Sequence, residues 1–248
     1  MRTIIAGYGQ IGRALYEVLS CYDPKVIDPA LRPKRRRLLG EPEGPRVADA
    51  DELCDVLHVA FPYTKTFVEE VKKYQKAHKP KVTVIHSTVP EGTSRSLGAV
   101  FSPVVGLHPF LVEGIRTFTK YLAGENASLV ADYFRRAGLR VYLMENSDAL
   151  EYSKLRQTKF YALQVEFVKH TARQCKQRGY SFSEAYTLPS ADYNRGYAEL
   201  GRPEYHLPLL VPIMTKQGGH CTIPNLDLQP DSWSQVIKKC NEDTNEEK

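Results

Sequence analysis

The sequence has few features that would cross-link the chain through disulfides or a metal, or anchor it in a membrane. The five cysteines are odd in number, widely spaced and form no C-x-x-C pair, so they predict neither a disulfide framework nor a zinc site. No apolar run approaches the roughly 18 residues that a membrane span needs, and Met1-Arg2-Thr3 leads directly into a short apolar segment rather than a signal peptide. We therefore expect a cytoplasmic protein with reduced thiols, no metal and no membrane partner.

The excess of positive over negative charge is also small. The formal net charge is +5 over 248 residues, and its densest source is the short basic stretch at residues 34–37. Nucleic-acid binding usually needs an extended basic face, so we expect no nucleic-acid partner. With 42% hydrophobic residues the chain can form a sizeable core, and its length predicts two compact units.

The first 145 residues alternate short apolar runs with helical patterns. This alternation is typical of α/β domains, in which helices cover both faces of a parallel sheet. Parallel strands need crossovers, which are nearly always right-handed, so a doubly wound sheet is the simplest topology. The predicted strands are residues 3–6, 25–27, 56–60, 82–86, 99–104, 121–123 and 140–143, and the predicted helices are residues 11–20, 66–77, 93–97 and 128–137.

The pattern changes after residue 146. Ser147 can cap a long helix that runs to about Arg178, with Gly179 as its stop. Weaker patterns predict a helix at 191–200, a loop at 215–229 and an amphipathic helix at 232–240. The predicted domains are therefore residues 1–145, a small mainly helical region at 146–240, and a disordered polar tail at 241–248.

A glycine turn follows the first predicted strand, in the order Gly7-Tyr8-Gly9-Gln10-Ile11-Gly12. Gly7 permits a tight bend, Gly9 lets a pyrophosphate approach the backbone, and Gly12 lets the next helix pack close to the strand. The N–H groups at the helix start, including those of Gln10 and Ile11, favour phosphate. This context predicts a Rossmann-type dinucleotide site; the alternative is a glycine turn without a ligand.

Asp28 ends the second predicted strand, about twenty residues after the first glycine. A carboxylate there can accept both ribose hydroxyls and would repel a 2′-phosphate, which favours NAD. Arg32 and the basic residues 34–37 follow closely, and they could bind a 2′-phosphate or form a solvated loop. We expect NAD as the cofactor, with NADP left open.

Three further segments resemble the nucleotide-sugar dehydrogenases, which include UDP-glucose and UDP-N-acetylmannosamine dehydrogenases. The first, Ser87-Thr88-Val89-Pro90-Glu91-Gly92-Thr93, is similar to the family's S-T-V-P-x-G-T turn. The resemblance implies that Thr88 approaches the cofactor and the reacting carbon. We assign Phe61, Pro62 and Ser87 to the same cofactor site.

The second segment, Glu151-Tyr152-Ser153-Lys154, lies on the predicted long helix and resembles the family's E-x-x-K. The resemblance implies that Lys154 stabilises negative charge on the reacting oxygen, as a cation placed where an alkoxide forms. Thr158 stands where the family has an asparagine, which weakens a contact to that oxygen or its water.

The third segment, Gly218-Gly219-His220-Cys221-Thr222-Ile223-Pro224, resembles the family's G-G-H-C-I-P loop, with Thr222 inserted. The resemblance implies that Cys221 is a nucleophile whose thiolate adds to an aldehyde, after which a second hydride leaves and hydrolysis gives an acid. The family's aspartate after the loop is absent at its usual place, and Asn225 and Asp227 are the nearest substitutes.

The segment around His108 matches two families. It resembles a motif of the nucleotide-sugar dehydrogenases with one residue missing. It equally resembles the G-x-H-P motif of prephenate dehydrogenases. The chain is also similar to prephenate dehydrogenases and to 6-phosphogluconate dehydrogenase-like proteins. In the second interpretation His108 contacts the substrate hydroxyl and acts as a general base near neutral pH. A structural hydrogen-bonding role is the alternative.

The resemblance does not extend to the UDP-binding domain of the family, since only residues 225–248 follow the cysteine loop. We therefore expect a small-molecule substrate that is smaller than a nucleotide sugar, or one held by another subunit. Phe160, Leu163 and Phe167 on the long helix at 147–178 suit a homodimer interface or an intrachain core. Three functions stay open: a four-electron oxidation through Cys221, a two-electron oxidation through His108, and a non-catalytic protein that binds NAD.

Overall fold

The computed structural model describes residues 1–31, 44–106, 108–218 and 222–243. The chain divides into two compact units, Met1–Lys154 and Leu155–Lys248. Among the described residues, no helix is both long and apolar enough to cross a membrane. The same residues contain no cluster of three or more His, Cys, Asp or Glu side chains that could hold a metal ion.

The first unit contains a five-stranded parallel sheet, which confirms the predicted doubly wound α/β class. Its strand order is β2-β1-β3-β4-β5. A shorter parallel pair, β6 and β7, is joined to β5 through an antiparallel bridge between Phe101 and Ala123. The strands are β1 Thr3–Ala6, β2 Lys25–Ile27, β3 Val56–Val59, β4 Val82–Ile85, β5 Val100–Phe101, β6 Lys120–Leu122 and β7 Val141–Leu143.

A single bridge completes the strand order of a dinucleotide-binding sheet. Val47 pairs in parallel with Val26 of β2, and the N–H of Val26 donates to the Arg46 carbonyl at 2.7 Å. With Val47 counted as the third strand position, the order becomes 3-2-1-4-5-6, which is that of Rossmann folds. The crevice for a ligand then lies at the carboxyl ends of β1 and β3, where the strand order reverses.

Helices cover both faces of this sheet, because neighbouring residues of each strand point to opposite sides. Ile5 packs with Leu15 and Val130 on one face, whereas Ile4 packs with Phe67 on the other. The helices of the first unit are α1 Gln10–Val18, α2 Phe67–His78, α3 Thr93–Ser96, α4 Leu111–Thr117 and α5 Ala127–Arg136.

The sequence did not predict α4, because Gly114 interrupts its short apolar pattern. The structure explains that glycine by close packing: a Cβ atom on Gly114 would lie 3.0 Å from the Val105 carbonyl oxygen and 3.2 Å from the Gly106 Cα. Strand β5 is shorter than the predicted segment 99–104, since Pro103 has no N–H to donate to a neighbouring strand.

The long helix α6 Ser147–Arg178 has the predicted start and end. Within the described part of the chain, four further helical segments and one π-helical turn follow. The last helix runs beyond its predicted end, because Asn241 is buried and its side chain accepts a hydrogen bond from the N–H of Gln217 at 2.6 Å. Residues 241–243 are therefore helical rather than a disordered tail, and residues 244–248 lie outside the described part. The segments are Ser183–Thr187 (π-helical), α7 Leu188–Glu199, two 3₁₀ helices at Pro203–Tyr205 and Ile223–Asp227, and α8 Ser232–Asp243.

A chain of polar side chains runs through the core of the first unit. The Tyr133 hydroxyl lies 3.3 Å from His58 Nε2, and His58 Nδ1 lies 2.9 Å from His86 Nε2. His86 Nδ1 lies 2.7 Å from the Ser102 carbonyl oxygen, which can only accept, so His86 donates from that nitrogen. Burial lowers the pKa of both histidines, that of His58 to about 3, so both rings are neutral at pH 7.

Lys120 lies at the end of this chain. Its ammonium group donates to the carbonyl oxygens of Ser102 at 3.1 Å and Pro103 at 2.8 Å, and the residue is only 3% exposed. Burial and the neighbouring cation Lys154 lower the pKa of Lys120 to about 7. The folded chain therefore releases this proton near neutrality, whereas an unfolded chain holds it to about pH 10.4.

This difference predicts a pH-dependent stability. Above pH 7 the unfolded state binds the extra proton, so the free energy of unfolding rises with pH, by about 2 kcal/mol between pH 7 and 9 from this group alone. Replacing Lys120→Met should remove that rise, as measured by urea unfolding at both pH values. The same change at exposed Lys72 on α2 should leave it intact. An equal rise in the wild type and in Lys120→Met would contradict the assignment.

Candidate functional site

The glycine turn lies between β1 and α1, where the sequence places it. Gly7 has a φ of +95°, and a Cβ atom there would lie 2.8 Å from the Phe61 nitrogen. A Cβ atom on Gly12 would overlap the Gly7 carbonyl oxygen. These two glycines are therefore required by the fold itself.

Gly9 differs from the other two glycines of the turn. It is the N-cap of α1, with φ −72°, and a Cβ atom on it would meet no atom of the described residues within 4 Å. Folding alone does not require a glycine in that conformation. The open space leaves room for a ligand to approach the backbone beside Gln10 and Ile11, whose N–H groups lie in the first turn of α1.

Asp28 follows β2 and lies beside the glycine turn. Its Oδ2 atom accepts from the Tyr8 N–H at 2.6 Å, and its Oδ1 atom accepts from the Ala30 N–H at 2.8 Å. Each carboxylate oxygen can accept more than one hydrogen bond, so both retain capacity for hydroxyl donors. Arg32 and residues 34–37, which could bind a 2′-phosphate, lie outside the described residues.

The parallel register brings four further predicted residues to the same edge. Ala6 pairs with Val59, and Val59 pairs with Ile85, so the chain leaves β1, β3 and β4 at one level. Phe61 and Pro62 follow β3, and Ser87 and Thr88 follow β4. Buried Ser87 donates from its hydroxyl to the Phe61 carbonyl at 2.6 Å, while Thr88 is half-buried.

Glu151 attaches the start of α6 to the turn after β4. Its two oxygens accept from the N–H groups of Gly92 at 2.6 Å and Ser94 at 2.8 Å, and the side chain is fully buried. Burial raises the pKa of Glu151, although both N–H bonds favour its charged form. The sequence identified this glutamate only as a motif member, because a contact across 59 residues leaves no local pattern.

Lys154 lies one helical turn after Glu151 and is half-buried. Its ammonium group donates to the Val104 carbonyl at 2.9 Å, just after β5. Lys120 donates to the carbonyl oxygens of Ser102 and Pro103, so two lysine side chains bind three consecutive carbonyl groups. The sequence reasoning missed Lys120; a lysine at the inward-facing first position of a strand was the one available signal.

His108 lies in the loop between β5 and α4 and is exposed. The described residues provide no hydrogen-bond partner for its ring, so the structural hydrogen-bonding role receives no support there. The loop follows β5, at the same carboxyl edge of the sheet as Lys154.

Cys221, the predicted nucleophile, lies outside the described residues, as does His220. The residues on either side belong to the second unit. Before the loop, the Gln217 side chain donates to the Ala162 carbonyl at 2.9 Å, and after it, Leu226 packs with Ala162 and Ile237. Asn225, one of the two nearest substitutes for the family's aspartate, lies in the 3₁₀ helix Ile223–Asp227 and is half-buried.

The other cysteines do not suggest a second thiol site. Cys54 and Cys175 are buried, Cys240 is half-buried and Cys21 is exposed. Burial raises the pKa of the Cys54 thiol to about 12, which keeps it protonated and unreactive at neutral pH.

Comparison with known proteins gives no match to a protein-family model and none to a curated protein sequence. The fold, in contrast, is similar to solved structures over 98% of the chain. A UDP-D-ManNAc dehydrogenase from Pyrococcus horikoshii has a TM-score of 0.73 at 16% identity, with 69% of its chain covered. A UDP-glucose dehydrogenase from Pyrobaculum islandicum has a TM-score of 0.67 at 13% identity, with 68% of its chain covered.

A smaller enzyme matches over nearly its whole length. The 3-hydroxyisobutyrate dehydrogenase of Mycobacterium tuberculosis, determined with L-serine, has a TM-score of 0.65 at 16% identity, and 94% of its chain is covered. Sequence identities this low establish a common fold and nothing finer. The chain therefore has a Rossmann-type fold that is similar to the folds of these dehydrogenases.

Proposed function

We propose that this protein is an NAD-dependent dehydrogenase that oxidises a CH–OH group of a polar small molecule. One observation carries the proposal: the first unit brings the glycine turn, Asp28, Thr88 and Lys154 to the carboxyl edge of a single sheet. In open α/β sheets ligands bind at that edge, where the strand order reverses. The similarity to dehydrogenase structures supports the same proposal.

The residues present fit a nicotinamide dinucleotide. The start of α1 and the open space beside Gly9 would hold the pyrophosphate. Asp28 would accept the ribose hydroxyls, which favours NAD over NADP. Phe61, Pro62, Ser87 and Thr88 would lie along the part of the crevice between β3 and β4. When bound, the cofactor supplies the hydride acceptor of the reaction.

Lys154 is the cation that we assign to the reacting oxygen. Its ammonium group carries three N–H donors, and one of them donates to the Val104 carbonyl at the candidate edge of the sheet. The hydroxyl proton must leave for the hydride to depart, and negative charge builds on the oxygen as that proton is lost, before the C=O bond forms. A fixed cation there stabilises this charge with little reorganisation.

Cys221 extends the proposal to a four-electron oxidation. The thiolate sulfur would add to the aldehyde carbon, and the carbonyl oxygen would take up a proton. The resulting thiohemiacetal would lose a second hydride and that proton to give a thioester, which water would hydrolyse to a carboxylate and the free thiol. Two hydrides therefore leave for each acid formed. Asn225 is our candidate for orienting the water.

A two-electron oxidation of a small hydroxy acid is the second candidate. Two observations favour it: exposed His108 follows β5 at the candidate edge, and the chain covers 94% of a hydroxy-acid dehydrogenase structure. In that reaction His108 would accept the hydroxyl proton, and one hydride would leave for each substrate. A protein that binds NAD without turnover is the third candidate.

We also propose a homodimer through the long helix. Phe160 and Phe167 are 54% and 61% exposed, whereas Leu163 is half-buried against the cluster around Ala162. The two phenylalanines lie seven positions apart, so both face the same side of α6 and form an apolar patch suited to a twofold contact. Leu163 belongs instead to the intrachain core.

The open space at Gly9 allows a test of cofactor binding that is independent of the substrate. Gly9→Ala should fold normally, because no atom of the described residues lies within 4 Å of the added methyl group. It should weaken NAD binding at least about tenfold, because the methyl group would clash with a bound pyrophosphate. Calorimetry with NAD, NADH and the phosphorylated forms measures the affinities, and thermal melting measures stability.

Gly196→Ala is the matched control, since a Cβ atom there also meets nothing within 4 Å. It should bind NAD as the wild type does. No binding by the wild type at millimolar NAD, or equal binding by Gly9→Ala, would contradict the proposed cofactor site.

The reaction can be tested over a panel of sugar alcohols, sugar nucleotides and hydroxy acids. Lys154→Met should lower kcat by about 10²–10³-fold, because it removes the oxyanion stabiliser. If two NADH molecules form per substrate, Cys221→Ser should abolish acid formation. If one NADH molecule forms per substrate, His108→Ala should abolish turnover. Lys72→Met and Cys21→Ser are the controls and should retain full activity.

Each candidate has its own contrary result. Full acid formation by Cys221→Ser refutes the thiol route, and full activity in His108→Ala refutes the histidine route. Tight NADH binding without turnover of any panel member would leave the non-catalytic protein as the function.

The homodimer predicts a concentration-dependent mass in sedimentation. The wild type should sediment as a dimer at micromolar concentration, and Phe160→Ser with Phe167→Ser should sediment as a monomer because the patch loses its apolar area. Phe118→Ser, which changes an exposed phenylalanine of the first unit, should remain a dimer. A monomeric wild type at that concentration would remove the proposal.

A further inference from the structure

One apolar segment of the second unit, residues 207–215, belongs to none of the described helices or strands. Leu209, Val211 and Ile213 of this segment are 48%, 84% and 67% exposed. A single exposed apolar side chain is ordinary, whereas three at alternating positions of an extended chain form one apolar face. Contiguous exposed apolar surface commonly marks an interaction site.

Two prolines keep this segment extended. Pro208 and Pro212 fix their own φ at about −65° and disfavour the helical region for the residue before each of them. No residue at 207–214 has a positive φ, and none forms a backbone–backbone hydrogen bond among the described residues, so no hydrogen-bonded turn interrupts the segment. Leu210 and Pro212 are half-buried in a cleft that Tyr186 also lines, whereas the residues between and beside them are exposed. This period of two is that of a strand with one face packed.

One end of the segment is already paired within its own unit. The N–H of Leu207 donates to Asn194 Oδ1 at 2.7 Å, and the Leu207 carbonyl accepts from Asn194 Nδ2 at 2.9 Å. The Asn194 side chain thus takes the place of a neighbouring strand at Leu207. At the other end the chain bends at Thr215, so residues 209–213 are the part whose backbone edge is open.

The prolines also decide which edge of the segment can pair. In an extended chain the N–H and C=O groups of one residue point to the same side, and those of the next residue point to the opposite side. Pro208 and Pro212 have no N–H, so the edge that they share is interrupted. Leu209, Val211 and Ile213 form the other edge, and the described residues provide no partner for their backbone groups. An unpaired edge of this kind is a template for another strand.

We propose that residues 209–213 pair with the same residues of a second copy of this chain, as antiparallel strands related by a twofold axis at Val211. Leu209 of each copy then lies opposite Ile213 of the other. These three positions exchange hydrogen bonds in both directions, and their side chains lie on one face of the two-stranded ribbon. The proposal goes beyond the proposed function and does not depend on it.

The prolines fit this register. Pro212 of one copy lies opposite Leu210 of the other in a non-hydrogen-bonded pair, where a missing N–H costs nothing. Moving the twofold axis by one residue to Leu210 or Pro212 would leave at least one position of the open edge without a partner of its own kind. The register centred on Val211 therefore uses the whole open edge of both copies.

A second copy fits this edge better than a partner of other chemistry. The segment contains no charged residue, so two copies meet without repulsion between like charges, and a charged partner finds no charge to pair with. The facing pairs of valine with valine and of leucine with isoleucine suit a sheet. Five residues from each copy bury less than the ~1,200 Å² of a standard interface, so the association is weak and adds to the proposed contact through α6.

Disulfide trapping tests the register without cofactor or substrate. The two facing residues at Val211 should have Cα atoms about 5.5 Å apart, within reach of a disulfide, so Val211→Cys should cross-link to itself under mild copper–phenanthroline oxidation at submillimolar protein. Leu209→Cys should cross-link to itself at least about fivefold less, but should cross-link to Ile213→Cys when the two proteins are mixed. A Cys21→Ser background removes an exposed native thiol, and mass spectrometry identifies the linked peptides.

Equal self-cross-linking of Val211→Cys and Leu209→Cys would indicate random encounter or another register, and would overturn the proposal, as would the absence of a Val211→Cys cross-link. Cross-linking of Val211→Cys should persist when Phe160→Ser and Phe167→Ser are added. Its loss there would assign the contact to the patch on α6 and would also overturn the proposal.

Proline substitutions test the backbone edge itself. Val211→Pro removes the central N–H of the open edge, whereas Met214→Pro, the matched control, removes an N–H of the opposite edge. Both positions are exposed, so both proteins should fold, which thermal melting checks. In sedimentation at submillimolar concentration the wild type and Met214→Pro should contain a species heavier than the dimer, and Val211→Pro should lose it. Equal masses for all three proteins would contradict the pairing.

Discussion

The candidate site depends on the contact that Glu151 makes with the turn after β4. A fully buried carboxylate accepts from two backbone N–H groups, and this attachment sets the direction in which α6 starts. Lys154 lies only three residues later, so the same contact delivers its ammonium group to the end of β5. A motif that resembles E-x-x-K thus contains a residue that attaches the helix and, three residues later, the lysine that we propose as the stabiliser of the reacting oxygen.

The sheet supplies the second constraint. Parallel pairing of Ala6, Val59 and Ile85 makes three loops leave at one level, which turns residues far apart in sequence into neighbours. Within that arrangement Gly7 and Gly12 serve the fold, whereas no atom of the described residues occupies the space at Gly9. A single glycine motif therefore contains two positions set by packing and one position that this packing does not restrict.

Local patterns allowed much of this fold to be predicted. The bounds of β1, β2 and α6 agree with the sequence expectation, because each has a continuous apolar or helical pattern with a turn signal at its end. Helix α4 was missed because Gly114, a poor helix former, is explained only by the nearby backbone of residues 105 and 106. The glycine turn, Asp28 and Lys154 were singled out from motifs, whereas the contacts of Glu151 and Lys120 were not predicted. The partners of these two residues lie 17 to 59 residues away, and no periodicity encodes such pairs.

Lys120 also changes how the composition of this chain should be read. The formal net charge of +5 treats every lysine as an ammonium ion. With the pKa of Lys120 at about 7, the native molecule in mildly alkaline buffer carries an uncharged amine in its interior. Its electrophoretic mobility and its retention on a cation exchanger then reflect one positive charge fewer than a count of residues gives.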